Sequence, residues 1–145
     1  MIDSKVIPDN IARWLSPEDR RMLGKGAMTT EQAVQKAVFN NEKEEHKTVL
    51  TWLKRNQLKY IHAGTHRAVH DLEPGHPDFT VFFADQFRFY EMKVEGGKFS
   101  PDQLRVIAEH ATNQTSVWVT ISADQTISYI KNWLYASYGW IPKEP

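Results

Sequence analysis

The chain reads as an α/β protein with a mixed sheet of about four strands flanked by helices. Three observations predict it. Two strand-like runs meet at a short turn near Asp85, the second leads through a helical segment into another strand, and capped amphipathic segments stand on either side of that unit. A tight turn joins antiparallel neighbours, whereas strand–helix–strand normally closes as a right-handed parallel crossover. Together they give a mixed sheet with helices on its faces.

The elements follow in order. Ser16-Pro17-Glu18-Asp19 has a capping Ser, Pro at the first helical position and acids in the first turn, and Gly24 and Gly26 break the segment. Thr29 and Gln32 form a capping-box pattern ahead of Ala33, Val34, Ala37 and Val38. Asn40-Asn41 predicts a break or a fray, after which a second helix runs from about Glu42 to Asn56, with Val49, Leu50, Trp52 and Leu53 on its apolar side. On this reading residues 1–41 are an N-terminal helical extension and residues 42–145 the main domain. Leu58 to Ala63 reads as a strand and Gly64 to Gly75 as a polar loop.

Phe79–Ala84 and Phe87–Val94 are rich in aromatic and β-branched residues, with Asp85-Gln86 as the expected turn and Gly96-Gly97 ending the second strand. Ser100-Pro101-Asp102-Gln103 starts a helix carrying Leu104, Ile107, Ala108 and Ala111. Ser116–Ser122 is the fourth strand. Ser122-Ala123-Asp124-Gln125 opens a last helix with Ile127, Ile130, Trp133 and Leu134 on its apolar side. Tyr135, Tyr138 and Trp140 read as an exposed aromatic group that can serve as a dimer surface.

Composition narrows the function classes. The 145 residues suit one compact domain, and a hydrophobic content of 41% supports a real core. Zero cysteines exclude disulfides, thiolate metal sites and Cys nucleophiles. No apolar run reaches the length of a membrane span and the amino terminus lacks a signal-peptide layout, so a cytoplasmic protein without membrane contact is expected. Eighteen basic residues balance eighteen acidic ones. Their distribution is uneven, however. From His46 to His70 there is no Asp or Glu, while Lys47, Lys54, Arg55, Lys59 and Arg67 fall there with His62, His66 and other histidines. Such a stretch suits phosphate contact; its alternative is a solvated helix face followed by a basic loop.

The chemistry sits on the hairpin. A turn at Asp85-Gln86 puts Asp78 opposite Lys93 and Thr80 opposite Glu91. Alternation then gathers Asp78, Glu91 and Lys93 on one face, opposite an apolar face of Phe79, Val81, Tyr90 and Met92. Two carboxylates, with the Met92 carbonyl between Glu91 and Lys93, suit Mg²⁺ or Mn²⁺ beside a phosphate. Lys93 can orient an attacking water or counter developing charge. The alternative is a surface ion pair between Asp78 and Lys93.

Gly75-His76-Pro77-Asp78, then Glu91-Met92-Lys93, Gly96-Gly97-Lys98 and Ser100-Pro101-Asp102-Gln103 resemble the PD-(D/E)xK nuclease superfamily, and within it the VRR-NUC (virus-type replication-repair nuclease) family. The likeness covers about residues 42–130; residues 1–28 lie outside it. It implies a restriction-endonuclease-like fold and a Mg²⁺- or Mn²⁺-dependent deoxyribonuclease. Asp78 and Glu91 would be metal ligands with the Met92 carbonyl, Lys93 the catalytic lysine and Gln103 the helix glutamine near the site. Glu42 matches the acid of the family's first helix by register, and Glu45, three positions on, is the fallback. The family usually has Gln where this chain has His46. Stand-alone members resembled here act on four-way junctions or flaps in replication, recombination or repair, often as homodimers, and phage-encoded members fit the same pattern. The other class of function is a non-catalytic nucleic-acid-binding module that keeps the fold.

Lys98 joins Lys47, Lys54, Arg55, Lys59, His62 and Arg67 as candidate DNA contacts. His62, His66 and His70 would align on a helix as a transition-metal set, but Gly64 and the loop-like composition argue against a helix there. Phosphate contact and ordinary loop histidines remain the other two readings.

Overall fold

In the computed structural model, which describes residues 7–63 and 73–143, four strands lie side by side in chain order: β1 (Lys59–His62), β2 (Phe79–Phe83), β3 (Gln86–Met92) and β4 (Val117–Thr120). The first two pairings are antiparallel and β3–β4 is parallel. Five helices accompany them among the described residues: α1 (Asp9–Ala12), α2 (Pro17–Gly24), α3 (Thr30–Arg55), α4 (Pro101–Thr112) and α5 (Ala123–Tyr138). The mixed sheet flanked by helices is therefore the expected one. No helix among the described residues is long and apolar enough to cross a membrane.

The hairpin register differs from expectation by two residues. The turn is Ala84-Asp85, with Ala84 at φ 50°, and Phe83 pairs with Gln86. Side chains of α5 hold it there. The Trp133 indole N–H donates to Gln86 Oε1 (2.9 Å), and the Tyr138 hydroxyl donates to Asp85 Oδ1 (2.9 Å). Extending the register one step past Phe79↔Tyr90 puts Asp78 across from Glu91 rather than Lys93. A slip of two leaves every side chain on its expected face, where a slip of one would have inverted them all. Phe79, Val81, Tyr90 and Met92 are accordingly buried against Val49, Trp52 and Leu53 of α3 and Ile130, Trp133 and Leu134 of α5.

The expected break at Asn40-Asn41 is absent. One helix of 26 residues, opened by the Thr29/Gln32 capping box, runs through it. Asn40 instead spends its side chain on tertiary structure, donating from Nδ2 to the Trp14 carbonyl (2.8 Å). The 41/42 boundary thus falls inside a helix. The first half of α3 carries a separate small core of Ile7, Leu15, Leu23, Ala33 and Ala37. The expected aromatic surface is also not formed as a unit: Tyr135 is exposed, but Tyr138 and Trp140 turn inward onto Phe83.

Candidate active site

The motif residues meet where β2 begins and β3 ends. The loop leading into Asp78 is set against the amino terminus of α4. Gly75 has φ +88°, and a Cβ there would overlap the Asp102 carbonyl, so only glycine allows the approach. Arg105 of α4 reaches back to Glu73 (3.6 Å) and bridges Asp102 and Glu109 on its own helix.

Asp78 lies close to the plane of the sheet. Its Oδ2 accepts the Met92 N–H (2.9 Å), taking the place of a ladder carbonyl, while its own N–H donates to Glu91 Oε2 (3.1 Å). In an extended strand a residue's N–H and C=O leave on the same side. The Met92 carbonyl therefore faces the side where Asp78 stands. Glu91 is 2% exposed, and its other oxygen, Oε1, accepts from Gln103 Nε2 (2.7 Å) and lies 3.9 Å from the Lys93 ammonium. Gln103 does two jobs at once. Its Oε1 closes the capping box of α4 by accepting the Ser100 N–H (2.8 Å), which leaves its amide nitrogen aimed at Glu91. The amide suits this better than a carboxylate would, since a Glu at this capping position would set a like charge on Glu91.

Glu42 completes the cluster from α3. Its Oε1 and the Lys93 side chain both border Gly97, where a Cβ would stand 3.5 Å from the first and 3.7 Å from the second. Glu45 does not join it; its Oε2 accepts the Ala123 N–H (3.2 Å) and caps α5. Geometry thus selects Glu42 over Glu45.

Electrostatics follow from this crowding. Burial is the main cause that pushes the Glu91 carboxyl up to about 8, with the Asp78 charge adding to it and Lys93 opposing it. Glu42 is also raised, chiefly by burial, with Lys93 opposing and Asp78 adding. His76 is lowered, again by burial first and then by His110. Three carboxyl groups share one lysine, and this deficit of positive charge is what a divalent cation would relieve. Among the described residues no three His, Cys, Asp or Glu side chains already surround one point. A hard cation does not need that many, since Mg²⁺ commonly takes one or two carboxylates and fills the rest with water and phosphate. Asp78, Glu91 and the Met92 carbonyl fit that requirement.

The basic candidates are not gathered here. Lys47, Lys54, Arg55, Lys59 and Lys98 are all exposed. Lys98 follows Gly97 and lies beside the cluster. Lys54 and Arg55 stand about 18 Å further along α3 than Glu42, at 1.5 Å per residue. Lys59 pairs with Phe82 towards the turn end of the hairpin. Lys47 and Arg55 line a shallow hollow of about 410 Å³ with Thr48, Trp52 and Asp124, and Lys59 lines another of about 390 Å³ with Trp140 and Lys143. Neither hollow contains a motif residue. Arg67, His66 and His70 lie outside the described residues. His62 belongs to β1, not to a helix.

Sequence reasoning missed His46 as a site residue and gave His62 a different role, that of a DNA contact. His46 Nδ1 and His62 Nε2 are 3.0 Å apart, and both rings lie on Phe79. His46 Nε2 stands 3.4 Å from Asp78 Oδ2, within ion-pair distance but out of hydrogen-bond alignment, and is buried without a hydrogen-bond partner. A signal for this was present. His46 is one helical turn past Glu42, so if Glu42 faces the site His46 does as well.

No family model, no curated protein and no solved structure matches the chain.

Proposed function

We propose that this chain is a Mg²⁺- or Mn²⁺-dependent nuclease of the restriction-endonuclease-like fold, similar to the VRR-NUC family, and that it hydrolyses DNA phosphodiester bonds. The observation that carries this reading is the convergence of Asp78, Glu91, Lys93 and Gln103, from three separate stretches of chain, with Glu42 approaching from α3. A mere surface ion pair would leave Glu91 exposed and would not need a glutamine to hold it.

Asp78, Glu91 and the Met92 carbonyl would hold the cation. When bound, it polarises the phosphate, lowers the pKa of an attacking water and offsets the charge that builds on phosphorus oxygens. The chain's own side chains do the remaining work. Lys93, held between Glu42 and Glu91, keeps its ammonium at the site and can orient the water or donate to a phosphate oxygen. Gln103 fixes the Glu91 rotamer, and the Met92 N–H fixes that of Asp78. The loop at Gly75 and the first turn of α4 lock this constellation in place.

The test is incubation of the full chain with Mg²⁺ or Mn²⁺ and a panel of duplex, flap and four-way-junction DNAs. Metal-dependent cleavage that is lost in Asp78→Asn is expected, with branched substrates cut faster than plain duplex. Binding of the same DNAs with no cleavage under either metal would make the protein a binding module that keeps the nuclease geometry.

A further inference from the structure

We infer that His46 is an additional ligand of the cation, shared with Asp78, and that it biases the site towards Mn²⁺ over Mg²⁺. This rests on the nuclease reading above and deepens it by naming the cation class and the residue that selects it.

One buried ring nitrogen beside Asp78 lacks a hydrogen-bond partner. It is His46 Nε2, which lies 3.4 Å from Asp78 Oδ2 without being aligned on it. Its other nitrogen is engaged, since Nδ1 lies 3.0 Å from His62 Nε2. One of those two nitrogens must donate and the other accept. If His46 Nδ1 donates, Nε2 of the neutral ring carries a lone pair against a carboxylate oxygen. That is unfavourable unless a cation lies between them. Two donors, each about 2.1 Å from one ion, stand about 3.0 Å apart at the right angle of an octahedral site. The 3.4 Å observed is slightly wider, so a small closure of the two side chains lets them share a cation.

The surroundings suit ligation. Histidines that bind metals usually donate their second ring N–H to a fixed acceptor, which sets tautomer and orientation. His62 Nε2, 3.0 Å from His46 Nδ1, stands where that acceptor is needed. Its ring is stacked on Phe79 at 4.9 Å and 17°, and Phe79 also backs the His46 ring at 5.0 Å, so neither imidazole can swing away without disturbing a fully buried phenylalanine. Mg²⁺ favours all-oxygen sets, and imidazole suits transition ions such as Zn²⁺, Fe²⁺ and Ni²⁺ best; of the two ions proposed for this site only Mn²⁺ belongs to that first-row transition series. His62 acts through His46 and is a positioning residue, not a ligand.

The experiment uses the full chain with Mn²⁺ and Mg²⁺ as the probes, read by calorimetric titration and by ¹⁴N modulation of the Mn²⁺ electron-spin echo. Wild type is expected to bind Mn²⁺ more tightly than Mg²⁺ and to show imidazole-nitrogen coupling. His46→Gln should lose that coupling and about 10–100-fold in Mn²⁺ affinity, with Mg²⁺ affinity changed about threefold or less. His62→Gln should weaken Mn²⁺ binding and keep the coupling, which guards against misfolding of the first variant. Retained nitrogen coupling in His46→Gln, or an equal loss for both ions, would overturn the inference and leave His46 as an ion-pair partner of Asp78. If Asp78→Asn binds both ions as well as wild type does, the nuclease reading itself fails. The two failures are therefore distinguishable.

Discussion

At the turn end of the β2–β3 hairpin, neutral groups meet neutral or exposed partners. Trp133 donates to Gln86, Tyr138 donates to Asp85, and the Phe83 and Tyr138 rings lie 4.8 Å apart. At the other end of the same strands, Asp78, Glu91 and Glu42 crowd round one ammonium, and burial holds two of the three carboxyls above their ordinary range. Nothing in strand geometry requires this asymmetry. One end is arranged as a folded protein arranges a core margin. The other keeps buried charge that costs stability and makes sense as a place to put a cation and a phosphate. Substitutions should therefore separate the two ends, with stability answering at one and activity at the other.

The largest effect belongs to the charged end. Asp78→Asn and Lys93→Ala should each slow DNA cleavage by about 10³-fold or more, a loss typical of a removed transition-state contact or metal ligand. Both should remain folded by far-UV circular dichroism, and Lys93→Ala alone should keep its divalent-cation binding. Full cleavage in either, in a preparation free of contaminating nuclease, would remove the assignment. The converse comes from the neutral end. Trp133 is 3% exposed, so Trp133→Ala should cost about 3–5 kcal/mol in denaturant unfolding, with the cleavage rate per folded molecule unchanged.

A subtler contrast comes from Glu91. Its folded pKa, about 8, is raised above the unfolded value, so the stability contributed by its neutral form is fully present below about pH 4.5 and is lost as pH rises through 8. Metal-free wild type should therefore lose stability across that window. Glu91→Gln should flatten the decline and melt roughly 3–8 °C higher at pH 8 while being inactive. A variant that melts lower than wild type at pH 8 would mean that Lys93 compensates the buried charge fully.

The smallest effect distinguishes the two groups of basic residues. Lys98 adjoins the cluster, and Lys98→Ala should reduce the salt dependence of DNA binding by about one unit of slope. Lys54→Ala, about 18 Å along α3 from Glu42, should change binding only on DNA long enough to reach it, about five base pairs at 3.4 Å each. Identical slopes for both variants on short and long DNA would show that DNA enters from elsewhere.

What the sequence made legible was local. Capping boxes at Thr29 and Ser100, the order of strands and helices, and the division of the hairpin into an apolar and a charged face all depend on spacing within one element. Helical register narrowed the helix acid to Glu42 or Glu45, three positions apart on nearly one side, and could not choose between them. What it hid depends on distant partners. Asn40 does not break α3 because Trp14 offers it a carbonyl, and the turn sits one residue early because α5 supplies Trp133 and Tyr138. Glu45 faces α5, not the cluster, because the amino terminus of that helix needs an acceptor. The His46–His62 contact spans α3 and β1, which no single periodicity predicts.

The claim that the charged end is built for a cation is tested most directly by thermal unfolding of the full chain at pH 8 with and without Mn²⁺. Ligand that binds only the folded state raises its melting temperature. Wild type should melt several degrees higher with Mn²⁺, and Asp78→Asn should melt at the same temperature with and without it. An unmoved wild type, or an equal rise in both proteins, would contradict the account.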